Sequence, residues 1–158
     1  MKTLILVRHA KSDWPENTDD FDRPLGEKGH HDAEKMAKFL KANNHQIDKF
    51  LTSPALRALT TCEIFNNEFG IEMEKIPKLY NASESNFENT VVQIDDSLKS
   101  VALFSHNNGI SNFANSMSED IIMFPTCGVA GFEIDCDSWA EFENATKKLI
   151  FFYEPKKI

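Results

Sequence analysis

Thr3-Leu4-Ile5-Leu6-Val7-Arg8-His9 is a run of branched apolar residues that ends abruptly in two basic side chains. An apolar run with no polar alternation suits a strand buried on both faces, as in a parallel sheet flanked by helices. Periodicity then stops. Residues 8–26 hold Pro15, Pro24, Gly26 and five carboxylates, which predicts a long loop. Loops of this length inside a compact domain tend to carry function.

The pattern downstream repeats the strand-to-helix step. Ala33, Met36, Ala37 and Leu40 recur at i, i+3, i+4 and i+7, the stripe of an amphipathic helix, which Asn43-Asn44 would end. Ile47 to Thr52 reads as a second strand. Ser53-Pro54 reads as a helix start, with Ser53 as N-cap and Pro54 in the first helical position. Ala55, Leu59, Cys62, Phe65 and Phe69 line one face of that helix, and Gly70 stops it. A short strand over Glu72–Ile76 is cut off by Pro77. Ser83 would cap a third helix with Phe87, Val91, Ile94 and Leu98 on its face. Val101–Ser105 is a further apolar strand. Asn107-Asn108-Gly109 leads into a fourth helix bearing Ile110, Phe113, Ala114 and Met117. Gly128–Ile134 and Lys148–Tyr153 read as two last strands joined by a polar stretch. This alternation predicts an α/β fold in three layers, a mostly parallel central sheet with helices on both faces. With no repeat or linker, residues 1–158 read as one domain.

Composition bounds the function. Hydrophobic residues make up 41% of the 158, a globular figure. A net charge of −8 argues against a nucleic-acid partner, which requires a basic surface. Cys62, Cys127 and Cys136 are odd in number and far apart, so neither a disulfide framework nor a zinc site is expected. Cys62 reads as a packing residue. The N-terminal apolar run is too short for a signal peptide, and no stretch approaches the roughly 20 apolar residues of a membrane span. The expected setting is the cytoplasm, with no membrane partner.

Three features share one topological position. Arg8-His9 follows the first strand, Ser53 to Arg57 the second, and His106 the Val101–Ser105 strand. Ligands of open α/β sheets bind beyond the carboxyl ends of the strands. Arginine offers a planar fork of donors that matches phosphate oxygens. Arg57 falls in the first turn of its helix, where the macrodipole disfavours a cation, and a bound anion would relieve that conflict. Histidine can serve as a nucleophile toward phosphorus, and phosphoryl transfer chiefly needs positioning and charge stabilisation. Taken singly, each feature also reads as a charged loop, a capped helix or a hydrogen-bonded histidine. Their coincidence at strand ends favours one phosphoryl-binding pocket.

The motifs resemble a known family. Leu6-Val7-Arg8-His9-Ala10-Lys11-Ser12 is similar to the signature of the histidine phosphatase superfamily, whose fold is called phosphoglycerate mutase-like. Ser53-Pro54-Ala55-Leu56-Arg57-Ala58-Leu59-Thr60-Thr61 resembles its second motif and Ser105-His106-Asn107-Asn108-Gly109 its third. Asp20-Phe21-Asp22-Arg23-Pro24-Leu25, Phe124 to Ala130 and Asp137-Ser138-Trp139 resemble the short SixA-type subgroup. The resemblance implies that His9 is a transiently phosphorylated nucleophile. It implies that Arg8, Arg57 and His106 bind the phosphoryl oxygens, with Arg23 at the rim and Asn107 beside them. No metal or organic cofactor is implied. The subgroup is named for phosphohistidine phosphatases, so a phosphorylated histidine on a partner protein is one expected substrate and a small phosphorylated metabolite another.

The chain departs from the wider superfamily in two ways. Ala10 stands where many members have glycine, as in SixA-type proteins. No clear insertion supplies the acid that many members use on the leaving group; Asp20, Asp22 and Glu84 are the sequence candidates, each also readable as a solvated loop carboxylate. His30, His31 and His45 read as surface residues. Trp14 lies in the long loop, where it could wall the pocket or pin the loop. The alternatives to a phosphohistidine phosphatase are a phosphomonoesterase, a mutase of the same superfamily and a non-catalytic phosphoprotein-binding module.

Overall fold

β1 (Lys2–Arg8) divides its side chains between two interiors. Leu4 and Leu6 enter one hydrophobic cluster, Ile5 and Val7 the other, each with at most 1% of its surface exposed. Burial on both faces is why this strand reads as an unbroken apolar run. The computed structural model describes residues 1–158 throughout.

In chain order the remaining elements are α1 (Glu27–Ala42), β2 (Lys49–Thr52), α2 (Leu56–Phe69), β3 (Glu72–Lys75), α3 (Glu84–Val92), β4 (Ser100–Ser105), α4 (Gly109–Ser116), β5 (Val129–Ile134) and β6 (Lys147–Tyr153). Short 3-10 turns occupy Asp20–Asp22, Pro77–Leu79, Trp139–Asn144 and Pro155–Lys157. The sheet order is β3-β2-β4-β1-β5-β6. β3, β2, β4 and β1 pair in parallel. β5 is antiparallel to both neighbours, so β6 returns to the common direction. The expected mostly parallel sheet is therefore present, with β5 alone reversed.

Helices cover both faces. α1 and α2 pack Ala33, Met36, Leu40, Cys62 and Phe65 against Phe50 and Phe104 of the sheet. α3, α4 and the Trp139–Asn144 turn pack Phe87, Val91, Phe113, Trp139 and Phe142 on the other side. Burying one such side chain stabilises the fold by about 1.5–3 kcal/mol.

Several boundaries differ from the sequence reading. β2 begins at Lys49 rather than Ile47, because the Asp48 carboxylate takes the N–H groups of Lys99 and Ser100 at 2.9 and 3.0 Å. α2 begins at Leu56 with Ala55 as its N-cap, so Ser53 is not the cap and Pro54 is not helical. α3 is capped by Ser83, as expected, with a reciprocal bond to Asn86. It ends at Val92, leaving Ile94 and Leu98 outside it, where Asp95 turns the chain by accepting from the Ser97 N–H at 2.8 Å. The supposedly polar stretch between β5 and β6 buries Trp139 and Phe142 through its 3-10 turn. His45 is half-buried rather than a surface residue: its Nε2 lies 2.9 Å from the Tyr153 hydroxyl and its ring packs on Phe151.

Candidate active site

The carboxyl ends of β2, β4 and β1 are adjacent in the sheet, and each delivers one of the three sequence features to the same place. A pocket of about 370 Å³ there is lined by Arg8, His9, Lys11, Ser12, Asp20, Arg23, Arg57, Asn81, His106, Asn107 and Thr126, with no hydrophobic residue. All six expected residues thus meet.

His9 is set by backbone groups. Its N–H donates to the Ser105 carbonyl at 3.1 Å, and its carbonyl accepts from Cys127 at 2.9 Å. Its ring Nδ1 lies 2.8 Å from the Ala10 carbonyl, a group that can only accept. Nδ1 is therefore the protonated nitrogen, and Nε2 keeps its lone pair. The Ala10 peptide is itself fixed, since its N–H donates to Thr61 Oγ1 at 3.0 Å and Thr61 donates in turn to the Arg57 carbonyl at 2.7 Å. Burial, followed by the charges of Arg57, Arg8 and Arg23, pushes the His9 imidazole down to about 4, against a raising contribution from Ala10. It is neutral at pH 7, and its Nε2 lone pair is free to act.

The arginines arrive from different elements. Arg8, the last residue of β1, donates through Nη1 to the Phe124 carbonyl at 2.8 Å. Burial and neighbouring Arg57 lower its pKa. Arg57, second residue of α2 and 6% exposed, donates to the Asp20 carbonyl at 2.6 Å and the Asp20 carboxylate at 3.2 Å. Arg8 Nε, Arg57 Nε and His106 Nδ1 are buried with no partner in the protein. Buried polar groups are normally satisfied, so three orphans in residues lining one pocket, two of them arginine donors, point to an anion as their complement. His106 lies 5.2 Å from His9, centroid to centroid, and burial, then His9 and Arg57, push it down to about 3.

Asp20 was one of three candidate acids, and the structure argues against an acid role. Tyr80 donates to its Oδ2 at 2.6 Å, Arg57 sits on the same oxygen, and Arg23 contacts Oδ1 at 3.3 Å. The Tyr80 hydrogen bond and, after desolvation (which opposes it), the Arg57 charge hold the carboxyl at about 2, so it stays ionised. Asp22 is outside the pocket lining, and Glu84 lines a different hollow with Gly109 and Asn112. Arg23 reaches Ser12 Oγ at 2.8 Å and lies over the Trp14 ring at 4.4 Å. Trp14 is 61% exposed and bonds Thr18 through its indole N–H, so it pins the loop and backs Arg23. Asn107 lines the pocket with its side-chain oxygen held by the Ser111 hydroxyl. His30 and His31 are exposed on α1, away from the pocket lining.

Sequence reasoning missed Tyr80, whose ring lies 5.5 Å from His106 and 5.2 Å from Phe21. The signal was available: Tyr80 follows β3, so the same strand-end rule reaches it. It also missed that Ser53 turns to His106 instead of capping α2.

A nucleophile-ready histidine and buried arginines at the strand ends of an α/β sheet define an enzyme that handles phosphoryl groups. Comparison with known proteins specifies which kind. The family model of the histidine phosphatase superfamily (branch 1) matches residues 4–115. The chain belongs to this superfamily and is a phosphatase with the phosphoglycerate mutase-like fold. A crystal structure from Agrobacterium tumefaciens assigned as the phosphohistidine phosphatase SixA is 29% identical and superposes with a TM-score of 0.85, covering 98% of each chain. A protein histidine phosphatase SixA complexed with tungstate shares the fold at TM-score 0.80 and 21% identity, covering 98% of this chain and 97% of that one. An uncharacterized Mycobacterium tuberculosis protein is 27% identical over 161 residues, 95% of this chain and all of the relative. A Brucella suis 2,3-bisphosphoglycerate-dependent phosphoglycerate mutase is 38% identical over 72 residues, 44% of this chain and 35% of the mutase.

Proposed function

We propose that this phosphatase works through a phosphohistidine on His9, and that its substrates carry the phosphoryl group on nitrogen, foremost a phosphorylated histidine of a partner protein. His9 Nε2 attacks phosphorus as the bond to the leaving group breaks. Arg8, Arg57 and His106 take the phosphoryl oxygens, with Arg23 and Asn107 at the rim. Water then attacks phosphorus, losing a proton to solvent; the P–Nε2 bond breaks with its electron pair returning to Nε2, orthophosphate departs and His9 is restored.

The observation that carries the substrate class is Asp20. It is the one carboxylate lining the pocket, and it is held ionised. An alkoxide leaving group needs a proton from a positioned acid, a contribution of about 10²–10⁴ in rate. Phosphohistidine does not: its distal ring nitrogen takes up a proton from water, and neutral imidazole leaves. An anionic Asp20 favours that cationic ring. The resemblance to phosphohistidine phosphatases supports the same reading. The three free cysteines suit a reducing, cytoplasmic setting. A mutase reading draws on the local match to the Brucella enzyme, which supports the shared phosphoryl chemistry but covers under half of this chain.

The test is orthophosphate release from a phosphohistidine peptide, para-nitrophenyl phosphate and a phosphoserine peptide, for wild type and His9→Ala. The first two should turn over and the third should lag by about 10²-fold or more. His9→Ala should abolish all three and the acid-labile label that wild type retains. Equal rates on phosphoserine and phosphohistidine would refute the nitrogen preference. Binding of the phosphohistidine peptide without release from any substrate would replace the catalytic reading with a binding module.

A further inference from the structure

We infer that Ser53 is a positioning residue that sets the tautomer of His106, so that His106 meets the phosphoryl group as a hydrogen-bond donor through Nδ1. The inference rests on the phosphoryl-pocket reading above but not on the preference for a nitrogen leaving group.

Ser53 is wholly buried at the end of β2, and its Oγ lies 2.7 Å from His106 Nε2. The same Oγ accepts the backbone N–H of Ala55 at 3.2 Å. A backbone N–H can only donate, so one lone pair of Oγ is spent on Ala55. The hydroxyl proton then has a single acceptor among the contacts of Oγ, which is Nε2. If Nε2 carried a proton, two donors would converge on Oγ and a buried hydroxyl proton would be left without a partner, an arrangement that folded proteins avoid. The hydroxyl therefore donates to Nε2. A neutral imidazole with a bare Nε2 carries its proton on Nδ1.

That nitrogen is the one left for the pocket. His106 is 7% exposed, lines the pocket, and its Nδ1 has no protein partner. The two histidines thus hold the same tautomer and offer opposite nitrogens. His9 spends its Nδ1–H on the Ala10 carbonyl and offers a lone pair. His106 spends its Nε2 lone pair on Ser53 and offers an N–H. With the other tautomer, His106 would present a lone pair to an anionic oxygen and repel it. Ser53 gives up capping α2, whose N-cap has no side-chain bond, in order to make this contact.

The experiment is a ¹⁵N spectrum of the imidazole nitrogens of the full chain at neutral pH without substrate, with His106 assigned by its loss in His106→Asn. Wild type should show His106 protonated at Nδ1, with Nε2 shifted as a hydrogen-bonded acceptor. Ser53→Ala should give a mixed tautomer and lower kcat on para-nitrophenyl phosphate by about 10- to 100-fold, less than outright loss of an oxyanion donor, with KM changed less. Ser53→Thr, which keeps the hydroxyl, should recover the wild-type spectrum. A wild-type His106 protonated at Nε2 would overturn the inference, and so would a Ser53→Ala protein with unchanged tautomer and kcat. Should Ser53→Ala fail to fold, the wild-type spectrum still decides. An Nδ1-protonated His106 in a catalytically silent wild type would sink the proposed function and leave this inference standing.

Discussion

His9 depends on one peptide group. The Ala10 carbonyl takes its Nδ1 proton while the Ala10 N–H is anchored on Thr61, so ring orientation and tautomer are set by the chain itself. Burial and the neighbouring arginines then hold the ring neutral down to about pH 4. As the proposed nucleophile, His9 is lost only when protonated, so kcat/KM should stay level below the ordinary histidine value of 6.5 and fall through about pH 4. A pH–rate profile corrected for substrate ionisation checks this, and an acid limb near the ordinary value would contradict it. At this scale the pocket-lining types were legible: Arg8, His9, Arg57 and His106 lie at or beyond the ends of strands, and their chemistry suits phosphate. The tasks of Ser53, Thr61 and Tyr80 were not, because a hydroxyl's role depends on which acceptor the fold brings near.

The elements position this chemistry through close backbone packing. Gly29, in the first turn of α1, lies against the backbone of Lys11, two residues past His9. A Cβ at Gly29 would collide with the Lys11 carbonyl oxygen, with the Lys11 carbonyl carbon and amide nitrogen also within 2.9 and 3.1 Å. Alanine is the better helix former by about 1 kcal/mol, which alone would stabilise α1. Overpacking against rigid backbone costs about 1–3 kcal/mol, and the collision should win. Gly29→Ala is expected to unfold at lower denaturant and to lose activity as the loop after His9 moves; a gain in stability would show that the loop yields freely. Helix faces were readable from periodicity. The start of α2 was not, because Ser53 looks like a cap until His106, distant in sequence, is brought beside it.

Across the whole molecule, the pocket makes stability depend on pH. His9 and His106 are depressed to about 4 and about 3 in the folded chain against 6.5 when free. Between those values the unfolded chain binds protons that the folded one refuses, so stability should fall as pH drops from 6.5 toward 4. Asp20, depressed from 3.8 to about 2, extends the loss below 3.8 in the same direction. Denaturant unfolding of wild type and of a His9→Gln, His106→Gln double variant should show a shallower decline in the variant, and parallel declines would contradict the linkage. The sequence by itself determined the alternation of strands and helices, the two-sided burial of β1 and the four residues at or beyond the strand ends, because each is written in local periodicity or in adjacent residue types, while the superfamily was legible through the resemblance of its motifs. Only the tertiary structure decided that β5 runs backward, that Asp20 is clamped by Tyr80 as a carboxylate, and that Ser53 faces His106. Those facts depend on groups far apart along the chain, and their hydrogen-bond geometry exists only once the sheet has brought its strand ends together.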